Sequence, residues 1–283
     1  MSSLELLSQH ACFGGQQRFY KHDSAQIGLP MRFSVYLPPQ AGAGRVPVLF
    51  YLAGLTCTEE TFMIKAGAQR LAARHGIMLV APDTSPRGAN LPGETDSWDF
   101  GAGAGFYLDA TEQPWARHYR MHSYIVEELF GIATAELPGD GARAGVFGHS
   151  MGGHGALVLA LRNPGKFRSV SAFAPIAHPS DCPWGHKAFG NYLGNDREQW
   201  KQYDATELMR GARQPFPGGI LVDQGLADQF LDAQLRPEAF EDACRQAGQP
   251  LELRRHAGYD HGYYFISTFM EDHLAFHAKA LGA

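Results

Sequence analysis

The sequence is poor in cysteine. Its four (Cys12, Cys57, Cys182 and Cys244) are scattered over 283 residues without a Cys-x-x-Cys pair. Neither a disulfide framework nor a cysteine-rich zinc site is therefore expected, and a reducing cytoplasm is the simplest location. Basic charge is not in excess either: 24 Lys+Arg stand against 29 Asp+Glu, a formal charge of −5. A dedicated nucleic-acid binder would carry a basic stripe, so nucleic acid is not an expected partner. No apolar run approaches the roughly 18 to 20 residues that span a bilayer. The first fifteen residues lack a charged region followed by an apolar stretch, so neither a membrane span nor a secretion signal is expected. Repeats, low-complexity tracts and long polar linkers are also missing, and one domain over residues 1–283 is the expectation. What is present is a chain 45% hydrophobic and 19% charged, enough to build a core and too apolar for wholesale disorder.

Near the start, Met31, Phe33, Val35 and Leu37 alternate with their neighbours, the period of a half-exposed strand. Short runs that are apolar throughout follow at Val48–Ala53, Ile77–Ala81, Ala144–Phe147, Val170–Ala174 and Ile220–Val222. Runs of this kind suit parallel strands buried on both faces. Between them lie helical patterns: Thr61–Arg74 (stopped by Gly76), roughly Tyr119–Ala135, Gly153–Arg162, Leu231–Gln246 and His261–Leu281. Strand and helix alternating after an antiparallel opening predict a three-layered α/β fold with a mostly parallel sheet. Function in such sheets gathers at the carboxyl ends of the strands.

Gly148-His149-Ser150-Met151-Gly152 matches G-x-S-x-G, and an apolar strand precedes it while an apolar helix follows. That is the setting of a nucleophile elbow, in which a strained turn lifts the serine hydroxyl above the sheet. A serine hydroxyl needs a base to take its proton, and the base needs an orienting acid. On this framework they come later in the chain, acid first. Asp223 and Asp228 both follow the strand ending at Val222. Asp228 lies in the loop beyond and is the better placed to reach a histidine; Asp223 fits a bracing role. Among the later histidines His261 is the base candidate, because it follows the strand-like Leu251–Arg255 and opens the last helix. His154 fits packing behind the nucleophile. His273 and His277 are four apart and read as an exposed helix face; no third ligand or glutamate accompanies them as a metal site requires. Two backbone N–H groups must receive the oxyanion: Met151, after the nucleophile, and Leu55, after the turn at Gly54. Gly101-Ala-Gly-Ala-Gly105 is followed by Phe106 and so fails the phosphate-loop pattern, and neither a cofactor nor a metal is called for.

Taken together, these segments resemble the S-formylglutathione hydrolases, also called esterase D. The likeness covers essentially the whole chain and is carried by Leu52–Glu60, Ala81–Gly88, Gly148–Gly155, Phe173–Ile176, Cys182–Gly185, Asp223–Asp228 and Gly258–Gly262. The resemblance implies an α/β-hydrolase fold with antiparallel strands at its amino-terminal edge. It also implies a cytoplasmic serine hydrolase that cleaves S-formylglutathione to glutathione and formate, in formaldehyde detoxification. It maps the triad onto Ser150, Asp228 and His261 and the oxyanion amides onto Leu55 and Met151. The family's thiol-reagent-sensitive cysteine falls on Cys57, here a candidate regulatory thiol. Members are often dimers, so a homodimer is the assembly to expect. The alternative activity is a general short-chain carboxylesterase or acyltransferase. Ala177-His178 departs from the family pattern at a stretch expected to border the pocket. Lys65, Arg87, Lys187, Trp98 and Trp184 are the candidates for contacts with glutathione.

Overall fold

The structure, a computed structural model, describes residues 4–283. Nine strands among them form one sheet: β1 (Glu5–Cys12), β2 (Gly15–Asp23), β3 (Pro30–Leu37), β4 (Val46–Leu52), β5 (Met78–Pro82), β6 (Gly139–His149), β7 (Ser169–Phe173), β8 (Ile220–Gly225) and β9 (Leu251–His256). The spatial order is β1-β2-β3-β5-β4-β6-β7-β8-β9. β1, β2 and β3 run antiparallel, β3 meets β5 antiparallel, and every pair from β5 through β9 is parallel. The apolar runs are these parallel strands, and all seven residues of β4 are buried, as helices on both faces require. β1 and β2 were not read from sequence as strands. Six of the eight β1 residues are exposed and the other two half-buried, so no alternation marks that strand.

The helices are α1 (Glu59–Lys65), α2 (Ala68–His75), α3 (Met121–Ser123, continued by wider turns to Glu136), α4 (Met151–Arg162), α5 (Pro183–Tyr192), α6 (Arg197–Trp200), α7 (Ala205–Arg210), α8 (Pro237–Ala247) and α9 (Tyr263–Leu281). α2 packs on α9, and α4 packs on α7, which packs on α8, giving a layer on each face of the sheet. Two sequence expectations need correction. The helix expected over Thr61–Arg74 is two helices, because Gly67 takes a left-handed φ of 68° between them. The helix expected from Leu231 starts at Pro237, behind the left-handed Arg236; Leu231–Leu235 is a separate wide turn. Among the described residues no helix is long and apolar enough to cross a membrane.

A third correction concerns His273 and His277. They are fully buried on α9 rather than exposed, and they belong to a polar chain under the sheet described below. With His149 and His154 they make four buried imidazoles whose pKa burial pushes below the ordinary 6.5, to about 4 at His154. The unfolded chain takes these protons as pH falls through 6.5 and the fold does not. The stability these neutral rings contribute is thus complete above pH 6.5 and is lost toward the folded values. Each removes up to about 1.4 kcal/mol per pH unit in that window. The melting temperature is expected to fall steadily from pH 7 to pH 4.5 by scanning calorimetry; a flat profile would contradict neutral burial.

Candidate active site

β6 ends at His149 and α4 begins at Met151, leaving Ser150 alone in the turn at φ 57° and ψ −120°. An L-residue adopts this conformation only when its surroundings enforce it. The enforcement is visible. Ser150 N–H donates to the Phe173 carbonyl of β7 at 3.0 Å, while Ile176 N–H and His154 N–H donate to the Ser150 carbonyl. Both glycines of the motif are obligatory. A Cβ on Gly148 would lie 2.2 Å from the Gly152 carbonyl oxygen, and one on Gly152 would lie 1.9 Å from the Leu52 oxygen. Strand, turn and the neighbouring β4 approach too closely for any side chain.

Asp228 follows β8 and His261 follows β9, in neighbouring loops at the same edge of the sheet. His261 Nδ1 meets Asp228 Oδ2 at 2.5 Å, and the carboxylate side chain is fully buried. Asp228 Oδ1 accepts from Phe230 N–H at 2.8 Å, and Oδ2 also accepts from Gln224 Nε2 at 3.3 Å. With donors fixed on both oxygens, the carboxylate cannot rotate away. An ionised carboxylate only accepts, so Nδ1 carries the ring proton and Nε2 keeps its lone pair. His261 and Ser150 line one pocket of about 160 Å³ with Gly54, Leu55 and Cys57; no hydrogen bond joins the hydroxyl to the ring. Apo geometry of this kind commonly tightens only when substrate is bound. Asp223 goes elsewhere: Arg254, His256 and His273 surround it.

Two amides flank the serine. Met151 is the first residue of α4, where an N–H has no partner four residues back. In the turn after β4, Thr56 N–H donates to Gly103 and Cys57 N–H to Gly54, while no acceptor takes Leu55 N–H. Gly54 brings this turn against the elbow: a Cβ there would lie 3.2 Å from the Ser150 Cβ. Two amides without an acceptor thus stand on the two segments that meet at Ser150.

The pocket walls include residues that sequence reasoning passed over. His149 lies 4.4 Å from His261, ring centroid to ring centroid, and Phe230 stands edge-on to the same ring at 5.0 Å. Burial, and then the neighbouring His261, drive the His149 pKa far down, so it packs as a neutral ring. Its position inside the G-x-S-x-G motif was the available signal, as was the placement of Phe230 two residues past Asp228. Cys57 lines the pocket as a thiol: burial raises its pKa, only partly offset by Thr61 and Lys65. It therefore lacks the thiolate character of a nucleophile. Trp98 and Trp184 form an edge-to-face pair at 5.7 Å on the same walls. The three cationic candidates are engaged. Arg87 grips Asp83 at 2.7 Å, Lys187 holds Asp99 and Ser97, and Lys65 lies 5.7 Å over the Tyr263 ring. Ala177-His178 does not line this pocket, contrary to expectation. His178 Nδ1 turns to Asp204 at 2.9 Å, and Ala177 N–H is tied to Leu235.

A strained serine at a strand–helix elbow, a histidine–carboxylate pair in the next loops and a mostly parallel sheet define an α/β-hydrolase of the esterase class. The Esterase family model matches residues 24–276. The chain belongs to the S-formylglutathione hydrolase family. It is 54% identical to the S-formylglutathione hydrolase of Mus musculus, covering 99% of this chain and all of that protein. It is 52% identical to that of Arabidopsis thaliana over 99% of both chains. The solved S-formylglutathione hydrolase of Agrobacterium tumefaciens superposes with a TM-score of 0.95 at 48% identity, over 98% of this chain and all of the other. A ferulic acid esterase at 17% identity shares the fold, with a TM-score of 0.73.

Proposed function

We propose that this chain hydrolyses S-formylglutathione to glutathione and formate in the cytoplasm, as a step of formaldehyde detoxification, with Ser150 as nucleophile, His261 as base and Asp228 as its orienting acid. The observation that carries the mechanism is the Asp228–His261 contact at 2.5 Å beside the strained Ser150. The substrate reading rests on identity above 50% along the full length of relatives named for that reaction.

His261 Nε2 takes the Ser150 proton as the oxygen attacks the formyl carbon, and Asp228 stabilises the imidazolium that forms. Leu55 and Met151 N–H groups receive the oxyanion; one such donor is typically worth roughly 3 kcal/mol of barrier. The C–S bond then breaks and the glutathione sulfur leaves, taking the proton from His261 Nε2 and returning the ring to its neutral form. An ordinary cysteine thiol has a pKa of about 8.5, so it leaves with little help from protonation. Water, deprotonated by His261, attacks the formyl-serine, and the same donors hold the second oxyanion until formate departs. Cys57 is the candidate regulatory thiol on this reading, since a bulky adduct on it would fill the small pocket.

The test compares kcat/KM for S-formylglutathione, S-acetylglutathione and p-nitrophenyl acetate. A preference for the first of at least about 100-fold over the aryl ester is expected, nearly 3 kcal/mol of differential transition-state binding. Comparable efficiency on all three would replace this reading with a general short-chain esterase.

A further inference from the structure

A cavity of about 560 Å³ lies outside the serine pocket. It opens at the same edge of the sheet, over the start of β3 and the end of β5, where Thr58 and Glu59 begin the α1 turn. Cys57 lines the serine pocket and Thr58 lines this one, so the segment after β4 is the wall between them. β5 stands two strands from β6, roughly 10 Å at the usual spacing between strands.

Its lining carries three cations, Lys21, Arg32 and Arg87, and three carboxylates, Glu59, Glu60 and Asp83. Lys21 and Arg32 are direct register partners on β2 and β3, and both line the cavity. Like charges opposed across a ladder destabilise it, and an anion between them would reverse the sign. Lys21 has only Glu5 nearby, at 3.7 Å; no carboxylate among the described residues reaches Arg32 within ion-pair distance. On the cavity wall Glu59 is only 4% exposed; its carboxylate accepts from its own backbone N–H and feels the charge of Arg32, and no side chain donates to it. Asp83 does not compete for a ligand, because Arg87 holds both its oxygens.

We infer that this cavity binds an α-amino-acid group, its carboxylate between Arg32 and Lys21 and its ammonium donating to Glu59, and that the group is the γ-glutamyl end of the glutathione leaving group. The inference rests on the proposed substrate. Two register-paired cations beside a buried acid that no other side chain donates to match a carboxylate and an ammonium carried on one carbon. Arg32 stands on β3, three strands from β6, roughly 14 Å at the usual strand spacing, so the γ-glutamyl arm must lie extended over the Cys57–Thr58 wall for its carboxylate to meet the Arg32 side chain.

Arg32→Ala tests it. The KM for S-formylglutathione should rise about tenfold, the loss of one charge-assisted hydrogen bond, with kcat nearly unchanged and kcat/KM for p-nitrophenyl acetate unaffected. Arg32→Lys should recover most of the loss, and Glu59→Gln should repeat it from the other wall. Titration calorimetry supplies a readout free of turnover. Wild type should bind S-methylglutathione about tenfold more tightly than S-methylcysteinylglycine, and Arg32→Ala should erase that difference. Equal effects on both substrates, an unmoved KM, or equal binding of the two thioethers would overturn the inference while leaving the hydrolase reading intact. Inhibition by free glutamate without competition against S-formylglutathione would assign the cavity to a separate amino acid and overturn it too. A wild-type enzyme indifferent to glutathione would remove both readings, a result visible before any variant is made.

Discussion

Ser150→Ala is expected to lower kcat on S-formylglutathione by about 10⁵- to 10⁶-fold while KM and the melting temperature stay close to wild type. The size follows from the elbow. The hydroxyl is the only atom lost, and the hydrogen bonds that hold its strained backbone come from main-chain groups that remain: Phe173, Ile176 and His154. Alanine at φ 57° suffers the strain that serine already carries, so the fold is not further taxed. On the proposed mechanism, what survives is the Leu55 and Met151 donor pair and the binding of substrate, which alone sustain a small acceleration over water. Because nucleophile and base act as one unit, His261→Ala should cost nearly as much, and the double variant hardly more than either. Asp228→Asn should cost less, about 10⁴-fold, by releasing the ring from its Nδ1–H tautomer. Single-turnover rates measured on all four variants check the pattern. Retention of more than about 1% activity by Ser150→Ala, or simple additivity of the two alanine variants, would remove the serine from the mechanism.

The parts of this site that could be read beforehand are those whose signal is local. The elbow is five consecutive residues with an apolar run on each side. Asp228 and His261 each follow a strand-like stretch in the order this framework uses. The parallel strands announced themselves because helices cover both of their faces. Legibility stops where the decisive partner lies elsewhere in the chain. Two histidines four apart on α9 look like a wetted face, because polar residues on a helix usually are; here their partners are Ser169, Ser171 and Asp223, on other strands. β1 is an exposed edge and carries no alternation to betray it. Gly67 splits a stretch that is otherwise good helix former, since Ala-Gly-Ala gives no warning of a left-handed turn. The cavity at Arg32 and Lys21 depends on cross-strand register, which no single segment contains.

That buried histidine chain supports the second large effect. Its direction follows from its end. Arg254 reaches both oxygens of Asp223 at 2.6 Å, and His256 and His273 also contact it. Burial alone would raise the Asp223 pKa, but hydrogen bonds from His273 and Arg254 outweigh it and hold the group well below the usual carboxylate range. The carboxylate only accepts, so His273 donates Nε2–H to it and presents Nδ1 to the Ser171 hydroxyl at 2.8 Å. Ser171 Oγ then accepts Nε2–H of His277 at 2.8 Å, and Ser169 donates to His277 Nδ1 at 2.6 Å. Every buried donor and acceptor along the chain is used, and α9, which begins two residues after His261, is fastened to β7 and β8. Asp223→Ala strands the buried His273 and leaves Arg254 with Asp272 alone, at 2.8 Å. Breaking a buried pair in this way costs about 3 to 5 kcal/mol, a fall of roughly 10 °C in melting temperature for a domain of this size. The depressed carboxylate contributes its stability above the unfolded pKa of about 3.9 and loses it below. The gap between wild type and Asp223→Ala should therefore be wide at pH 7 and close as pH falls toward 2. Turnover per folded molecule at 25 °C should stay within about threefold of wild type, against the loss of about 10⁴-fold at Asp228. Stability and rate thus separate the two aspartates. If Asp223→Ala melted like wild type but lost catalysis, Asp223 rather than Asp228 would be the acid behind His261.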